Sequence, residues 1–281
     1  MKPFHQITQT KLDKPIRTTN SDKIKIMKIL ASRFLLLFLT IVSFSCGQST
    51  LGMAGTQPPS HQIWNELLQS HVKPNGMVDY KGFIREKAKL EKYLAMISSQ
   101  APDRKTWSKN EQMVYWINAY NAFTVKLIVD NYPVESIRDL GPKLKIPLIK
   151  DVWHYKFFKI GGVDSSLDEI EHSILRKEFE EPRIHFAINC ASISCPPLLN
   201  EAFVADKLES QLQKVAVAFV NDPTKNKIST NQAEVSSIFS WFSGDFTKNG
   251  SLIDFLNKYS KVKLNSKAKI SYMDYNWNLN E

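Results

Sequence analysis

The stretch from Lys109 to about Asn131 constrains this chain more than any other. Its residues are apolar on nearly every side of a helical projection, and a helix of that kind belongs inside a folded domain rather than on its surface. Ser108 with Glu111 three residues on forms the pattern of a capping box at its start. Tyr132-Pro133 ends it, because the residue before a proline is driven out of the helical region. Inside the stretch runs Tyr115-Trp116-Ile117-Asn118-Ala119-Tyr120-Asn121-Ala122-Phe123. Asn118 and Asn121 share a face at that spacing. Buried amides must find hydrogen-bond partners. Either they tie the helix to loop backbone, or one of them orients a catalytic group or a substrate carbonyl.

Periodicity sets the remaining elements around this helix. His61 to Val72 reads as a short amphipathic helix with Ile63, Leu67 and Leu68 on one side. A second helix is expected from Gly82 to about Ser99, and a strand from Val152 to Ile160 that stops at Gly161-Gly162. Ser166 caps a helix from Leu167 to about Phe179, with Glu169 at its third position. Phe203 to Asn221 is helical, and Lys227–Ser229 with Glu234–Ser236 suits a small hairpin. Helices near Ile238–Phe242 and Ser251–Tyr259 follow, and Lys269 to Tyr275 reads as a closing strand. The expected fold is α+β: a single, mainly helical domain with a small sheet, spanning residues 61–281.

What precedes residue 61 looks like a targeting device. Residues 1–26 are polar and basic; Met27 to Arg33 and the apolar run Phe34 to Val42 follow, then Ser43-Phe44-Ser45-Cys46. A basic start, a short apolar core and small residues before a cut describe a secretory signal peptide. The apolar run is too short to span a bilayer, which takes about twenty residues. Residues 1–46 are therefore expected to be a signal peptide with an N-terminal extension, Met27 being the better initiator, and 47–60 a flexible tether. Cys46 sits where a lipobox cysteine is acylated. The expected product is a lipid-anchored protein of the cell envelope, facing the periplasm or the cell surface.

This changes the meaning of the formal charge of +9. Eight of the 37 basic residues and two of the 28 acidic ones lie in residues 1–46, which leaves 29 against 26. A domain so nearly balanced lacks the concentrated basic face that phosphate binding requires, so nucleic acid is not an expected partner.

Two further stretches are dense in reactive side chains. Leu167-Asp168-Glu169-Ile170-Glu171-His172-Ser173-Ile174-Leu175-Arg176 places His172 near the edge of a helical face, where an imidazole can act as acid or base near neutral pH. Arg183-Ile184-His185-Phe186-Ala187-Ile188-Asn189-Cys190-Ala191-Ser192-Ile193-Ser194-Cys195-Pro196-Pro197 gathers a histidine, an asparagine and two cysteines. His185 to Ile188 suits a strand or one turn of helix equally.

YWINAYNAF, the LDEIEHSILR helix and RIHFAINCASISCPPL, in that order, resemble the family known as domain of unknown function 547. The closing DYNWNLN is similar to that family's C-terminal end, so the resemblance runs from Val114 to Tyr275. It implies that His172, His185 and Cys190 occupy the family's most characteristic positions, with Cys195 less essential. A distant likeness to papain-like or transglutaminase-like cysteine hydrolases is an analogy only.

Three chemistries fit the cysteine segment. In the first, Cys190 and Cys195 pair as a disulfide, which an oxidising compartment favours. In the second, Cys190 is a thiol nucleophile for acyl transfer or hydrolysis on a small-molecule or peptide substrate. His185 or His172 is then its base, and Glu171 or Asn118 orients the imidazole. Every histidine precedes Cys190, the reverse of the papain-like order. In the third, His185, Cys190 and Cys195 bind a metal with His172 or His154, although their spacing matches no familiar zinc pattern. No cofactor-binding motif is present: Gly161-Gly162 stands alone as a turn, with no phosphate-cradling loop. The leading expectation is the cysteine-dependent enzyme; its alternative is a non-catalytic envelope binding or structural protein with a Cys190–Cys195 disulfide.

Overall fold

The central helix, Lys109–Asn131, buries almost every residue from Gln112 to Val129. Both halves of its capping box form: the Ser108 hydroxyl accepts from the Glu111 N–H, and the Glu111 carboxylate accepts from the Ser108 N–H. Gln62–His71, Tyr80–Arg85 and Lys87–Ser98 form a helical layer beside it, the latter two packing directly against it. The computed structural model describes residues 56–143 and 151–281. The expected signal segment, Cys46 and residues 47–55 of the tether lie outside the described residues. Among the described residues no helix is long and apolar enough to cross a membrane.

Two expectations are corrected here. The single helix expected from Gly82 to Ser99 is two helices, broken at Glu86, whose backbone leaves the helical region and whose carboxylate lies 2.6 Å from His71 Nε2. The strand expected from Val152 is confined to β1, Phe158–Ile160. Upstream, the Asp151 carboxylate accepts from the N–H groups of Trp153 and His154 and winds Val152–His154 into a 3-10 turn. A short side chain that captures nearby backbone donors competes directly with strand pairing.

β1 pairs antiparallel with β2, Val163–Ser165, through Gly161-Gly162, both at positive φ. A second sheet joins β3, Lys227–Ile228, to β4, Gln232–Val235, in an antiparallel hairpin. β5, Lys269–Tyr272, adds to β4 in parallel, Gln232 opposite Lys269 and Val235 opposite Tyr272. The architecture is thus α+β, mainly helical with two small sheets. The undecided stretch at His185 is one helical turn, Ile184–Ala187.

Beneath that turn lies an aromatic core of Phe186, Phe219, Phe239, Phe246 and Phe255, with Phe186 and Phe219 stacked at 5.0 Å. Each such ring contributes on the order of 2 kcal/mol through burial alone. Leaving β5, the C-terminal tail pairs with the cysteine segment: the N–H groups of Ile193 and Ser194 donate to the carbonyls of Asn278 and Asn276. These two contacts bring Tyr275 and Trp277 to the same place as the cysteines.

Candidate functional site

The cysteine segment is held by side-chain amides. From the central helix, Asn121 donates to the Ala187 carbonyl at 2.9 Å and accepts from the Asn189 N–H at 2.8 Å. Asn189 in turn accepts from the Ala191 N–H at 2.9 Å and donates to the Pro196 carbonyl at 2.8 Å. Ala191 sits in the left-handed region with φ 59. An alanine there is strained by about 1 kcal/mol, so the surrounding bonds must hold it. Gly76, at φ 80, lies flush against Pro197, where a β-carbon would collide. Cys190 and Cys195 are joined as a disulfide, their α-carbons 6.2 Å apart. Cys195 is buried and accepts from the Cys190 N–H at 2.8 Å. Cys190 is half-buried, with its sulfur 3.3 Å from both the Ser192 and the Tyr275 hydroxyls.

The adjoining wall is helical from Leu167 and widens into a π-helix over Glu169–Leu175 before Arg176–Phe179. Ser166 and Glu169 make the reciprocal cap expected of them. π-helical turns concentrate at functional sites because they displace side chains from the regular spiral. Glu171 is the pivotal residue of this wall. It accepts from the Tyr120 hydroxyl at 3.3 Å, and burial pushes its carboxyl up to about 7.

His185 lies beside it, with Nδ1 3.9 Å from Glu171 Oε1 and Nε2 2.7 Å from Asp245 Oδ2. Asp245 is also gripped by two Arg176 nitrogens at 2.6 and 3.1 Å. Burial alone would raise the Asp245 carboxyl, but the His185 and Arg176 hydrogen bonds outweigh it and hold it well below the usual range. An ionised Asp245 fixes the proton of His185 on Nε2. That leaves a lone pair on Nδ1, which is buried and has no hydrogen-bond partner. Burial lowers the His185 imidazole despite Asp245, so the ring is neutral near pH 7. The ring stacks on Phe242 at 4.0 Å.

His172 has a different assignment. Its Nδ1 lies 2.9 Å from an Arg176 nitrogen, and arginine only donates, so the His172 proton is on Nε2, which faces Asp168 at 3.6 Å. Burial lowers this imidazole too. His154 bridges Asp151 at 2.7 Å and Asp168 at 3.3 Å.

Glu171, the three histidines, Asp151, Asp168 and both cysteines line one cleft of about 210 Å³, walled by Trp153, Trp241, Phe242, Tyr275 and Trp277, with Asp245 and Arg176 behind its lining. Of the residues singled out by sequence, Cys190, His185, His172 and Glu171 come together in it. Asn118 does not: it donates to the Phe203 carbonyl at 2.9 Å and accepts from the Phe203 N–H at 3.1 Å. Cys190 and Cys195 are bonded to each other, which takes both thiols out of the alternative metal set. Among the described residues no cluster of three or more ligands is placed to hold an ion. Sequence reasoning missed Asp245, Tyr120 and the tryptophan wall. Tyr275 and Trp277 lay within the DYNWNLN end already noted, whereas Asp245, 60 residues from His185, had no local signal.

Residues 104–220 match the family model described as Protein of unknown function, DUF547. The match takes in the central helix, the π-helical wall and the cysteine segment, and it supports the family that the motifs resemble. It stops short of the C-terminal tail. No curated protein and no solved structure matches the chain.

Proposed function

We propose that this chain is an extracytoplasmic lipoprotein, anchored through acylation of Cys46, whose domain is a cysteine-dependent acyl-transfer or hydrolytic enzyme. The observation that carries this reading is that Cys190 shares one cleft with an unpartnered imidazole lone pair and a carboxyl poised near neutral pH. An external dithiol first reduces the Cys190–Cys195 bond by thiol–disulfide exchange, leaving as its own cyclic disulfide and freeing both thiols; Cys190 is then the nucleophile, and only its thiolate reacts. His185 takes the thiol proton at Nδ1 while Asp245 holds the ring by Nε2. The Cys190 thiolate attacks an acyl carbon and expels an amine or alcohol. That leaving group takes a proton from Glu171 or from the His185 imidazolium. Water or a second nucleophile then breaks the thioester. A carboxyl near 7 suits acid catalysis at ambient pH.

A specific observation favours a second reading. The Cys190 sulfur is bonded to Cys195, and its hydrogen-bonding neighbours are hydroxyls rather than an imidazole. On that reading the disulfide is permanent and the cleft only binds. Cys195→Ser separates the two by releasing Cys190. The enzyme reading expects iodoacetamide to alkylate Cys190 at pH 7 at least about tenfold faster than an ordinary thiol, whose pKa is near 8.5. It also expects an acyl ester to load that residue, read by mass. An ordinary alkylation rate together with no acyl adduct sinks it.

A further inference from the structure

We infer that the cleft binds a primary ammonium group carried on a short alkyl stem. The inference names a substrate class for the site proposed above and rests on that reading only in taking the cleft as the place where substrate sits.

Hydrogen-bond capacity is the first ground. The carboxylates and imidazoles lining the cleft come from Asp151, Asp168, Glu171, His154, His172 and His185, and no Lys, Arg, Asn or Gln lines it among the described residues. The phenol and imidazole donors on the polar side of the cleft face acceptors, and the other donors that line it are the indole N–H groups and the Tyr275 hydroxyl of the wall. Tyr120 donates to Glu171, His185 Nε2–H to Asp245, and His172 Nε2–H faces Asp168. The acceptors are in surplus. Among the described residues, the ion pairs and hydrogen bonds of Asp151 and Asp168 all use Oδ1, and none uses Oδ2 of either. A polar side made of carboxyl groups and imidazoles, whose own donors already face acceptors, matches a ligand with donors alone, and an ammonium has three donors and no acceptor.

His185 supplies an independent ground. Its side chain is 1 % exposed, it lines the cleft, and its Nδ1 lone pair has no partner. A buried acceptor left unsatisfied is destabilising, and a donor on the ligand removes that cost.

The walls fit the rest of such a molecule. Trp153, Trp241, Tyr275 and Trp277 offer apolar surface to methylenes and π-faces to a positive charge. Two of the cleft's rings already carry cations: the Arg138 guanidinium lies 5.1 Å from the Trp277 centroid and that of Arg176 5.0 Å from Phe242. A saccharide shares the liking for tryptophan, but its hydroxyls ask for donors as well as acceptors. A carboxylate ligand meets three carboxyl groups of its own kind. In acyl transfer, an amine is either the group expelled or the group that receives the acyl chain, so this ligand class belongs with the reaction.

Tryptophan fluorescence of the full, oxidised chain tests this at equilibrium, with no turnover, so an inert Cys190 leaves the outcome unaffected. The probes are pentylammonium, 1-pentanol, pentanoate and the disaccharide of N-acetylglucosamine. Pentylammonium is expected to bind at least about tenfold tighter than 1-pentanol, with pentanoate weakest. Combining Asp151→Asn with Asp168→Asn should bring pentylammonium down to the level of 1-pentanol and leave 1-pentanol unchanged. Equal binding of the ammonium and the alcohol overturns the inference, as does preference for the disaccharide or binding of no probe. If the double variant fails to fold, the comparison of probes on the natural chain decides alone.

Discussion

The cysteine segment and the π-helical wall beside it treat buried polar groups in opposite ways. In the cysteine segment the side-chain amides of Asn121 and Asn189 are matched to backbone partners. In the wall, Glu171 is a buried carboxyl pushed up to about 7, and His185, on the Ile184–Ala187 turn beside it, keeps an Nδ1 lone pair with no hydrogen-bond partner. One region spends its polar groups on holding backbone, including the strained Ala191. The other holds polar groups in reserve. Rigidity in the first is what allows a sulfur to sit at a fixed place beside the second, where unsatisfied groups are available to a ligand.

The sharpest way to break this contrast is Asn121→Ala. It leaves the Ala187 carbonyl and the Asn189 N–H unpaired, each worth about 1–3 kcal/mol, so urea denaturation should show a loss of roughly 4 kcal/mol. A loss under about 1 kcal/mol would mean the segment holds itself without the amide.

Glu171→Gln tests the other region. The folded carboxyl sits at about 7 against an ordinary 4.5, so folding favours its protonated form. Its contribution is fully present below pH 4.5 and is lost as pH rises through about 7, on the order of 3 kcal/mol. The glutamine variant cannot ionise there, so its stability should fall less than that of the natural chain between pH 5 and pH 8. Parallel pH profiles for the two proteins would show that Glu171 is not the strained group.

Smaller effects refine the comparison. The disulfide closes a bridge between residues five apart in sequence. Replacing both cysteines with serine should therefore cost only about 2 kcal/mol by loop entropy, measured on the same urea scale. A much larger loss would make the bond, rather than the asparagines, the principal support of the segment. Trp241→Ala should be the mildest change: the residue is 49 % exposed, so the melting temperature should move by no more than about 3 °C. Its effect belongs in pentylammonium binding, where a weakening of several-fold is expected from loss of a wall ring.

The amino-acid order alone determined the parts of this protein that depend on neighbours within a few residues. The extent of the central helix follows from apolar spacing and its stop at Tyr132-Pro133, and both the Ser108–Glu111 and the Ser166–Glu169 caps follow from residues three apart. That Asn118 and Asn121 must find partners also follows, because a buried amide has no water to turn to. Which partners they find was decided by packing: Phe203 lies 85 residues from Asn118, and Ala187 lies 66 from Asn121. The same holds for the Glu86 break, where His71 pins a carboxylate 15 residues away. Asp245 reaches His185 across 60 residues, and Tyr275 reaches Cys190 across 85. Periodicity tells each segment which face to bury. It carries no record of what another segment will bring to that face, and the cleft is made of such meetings.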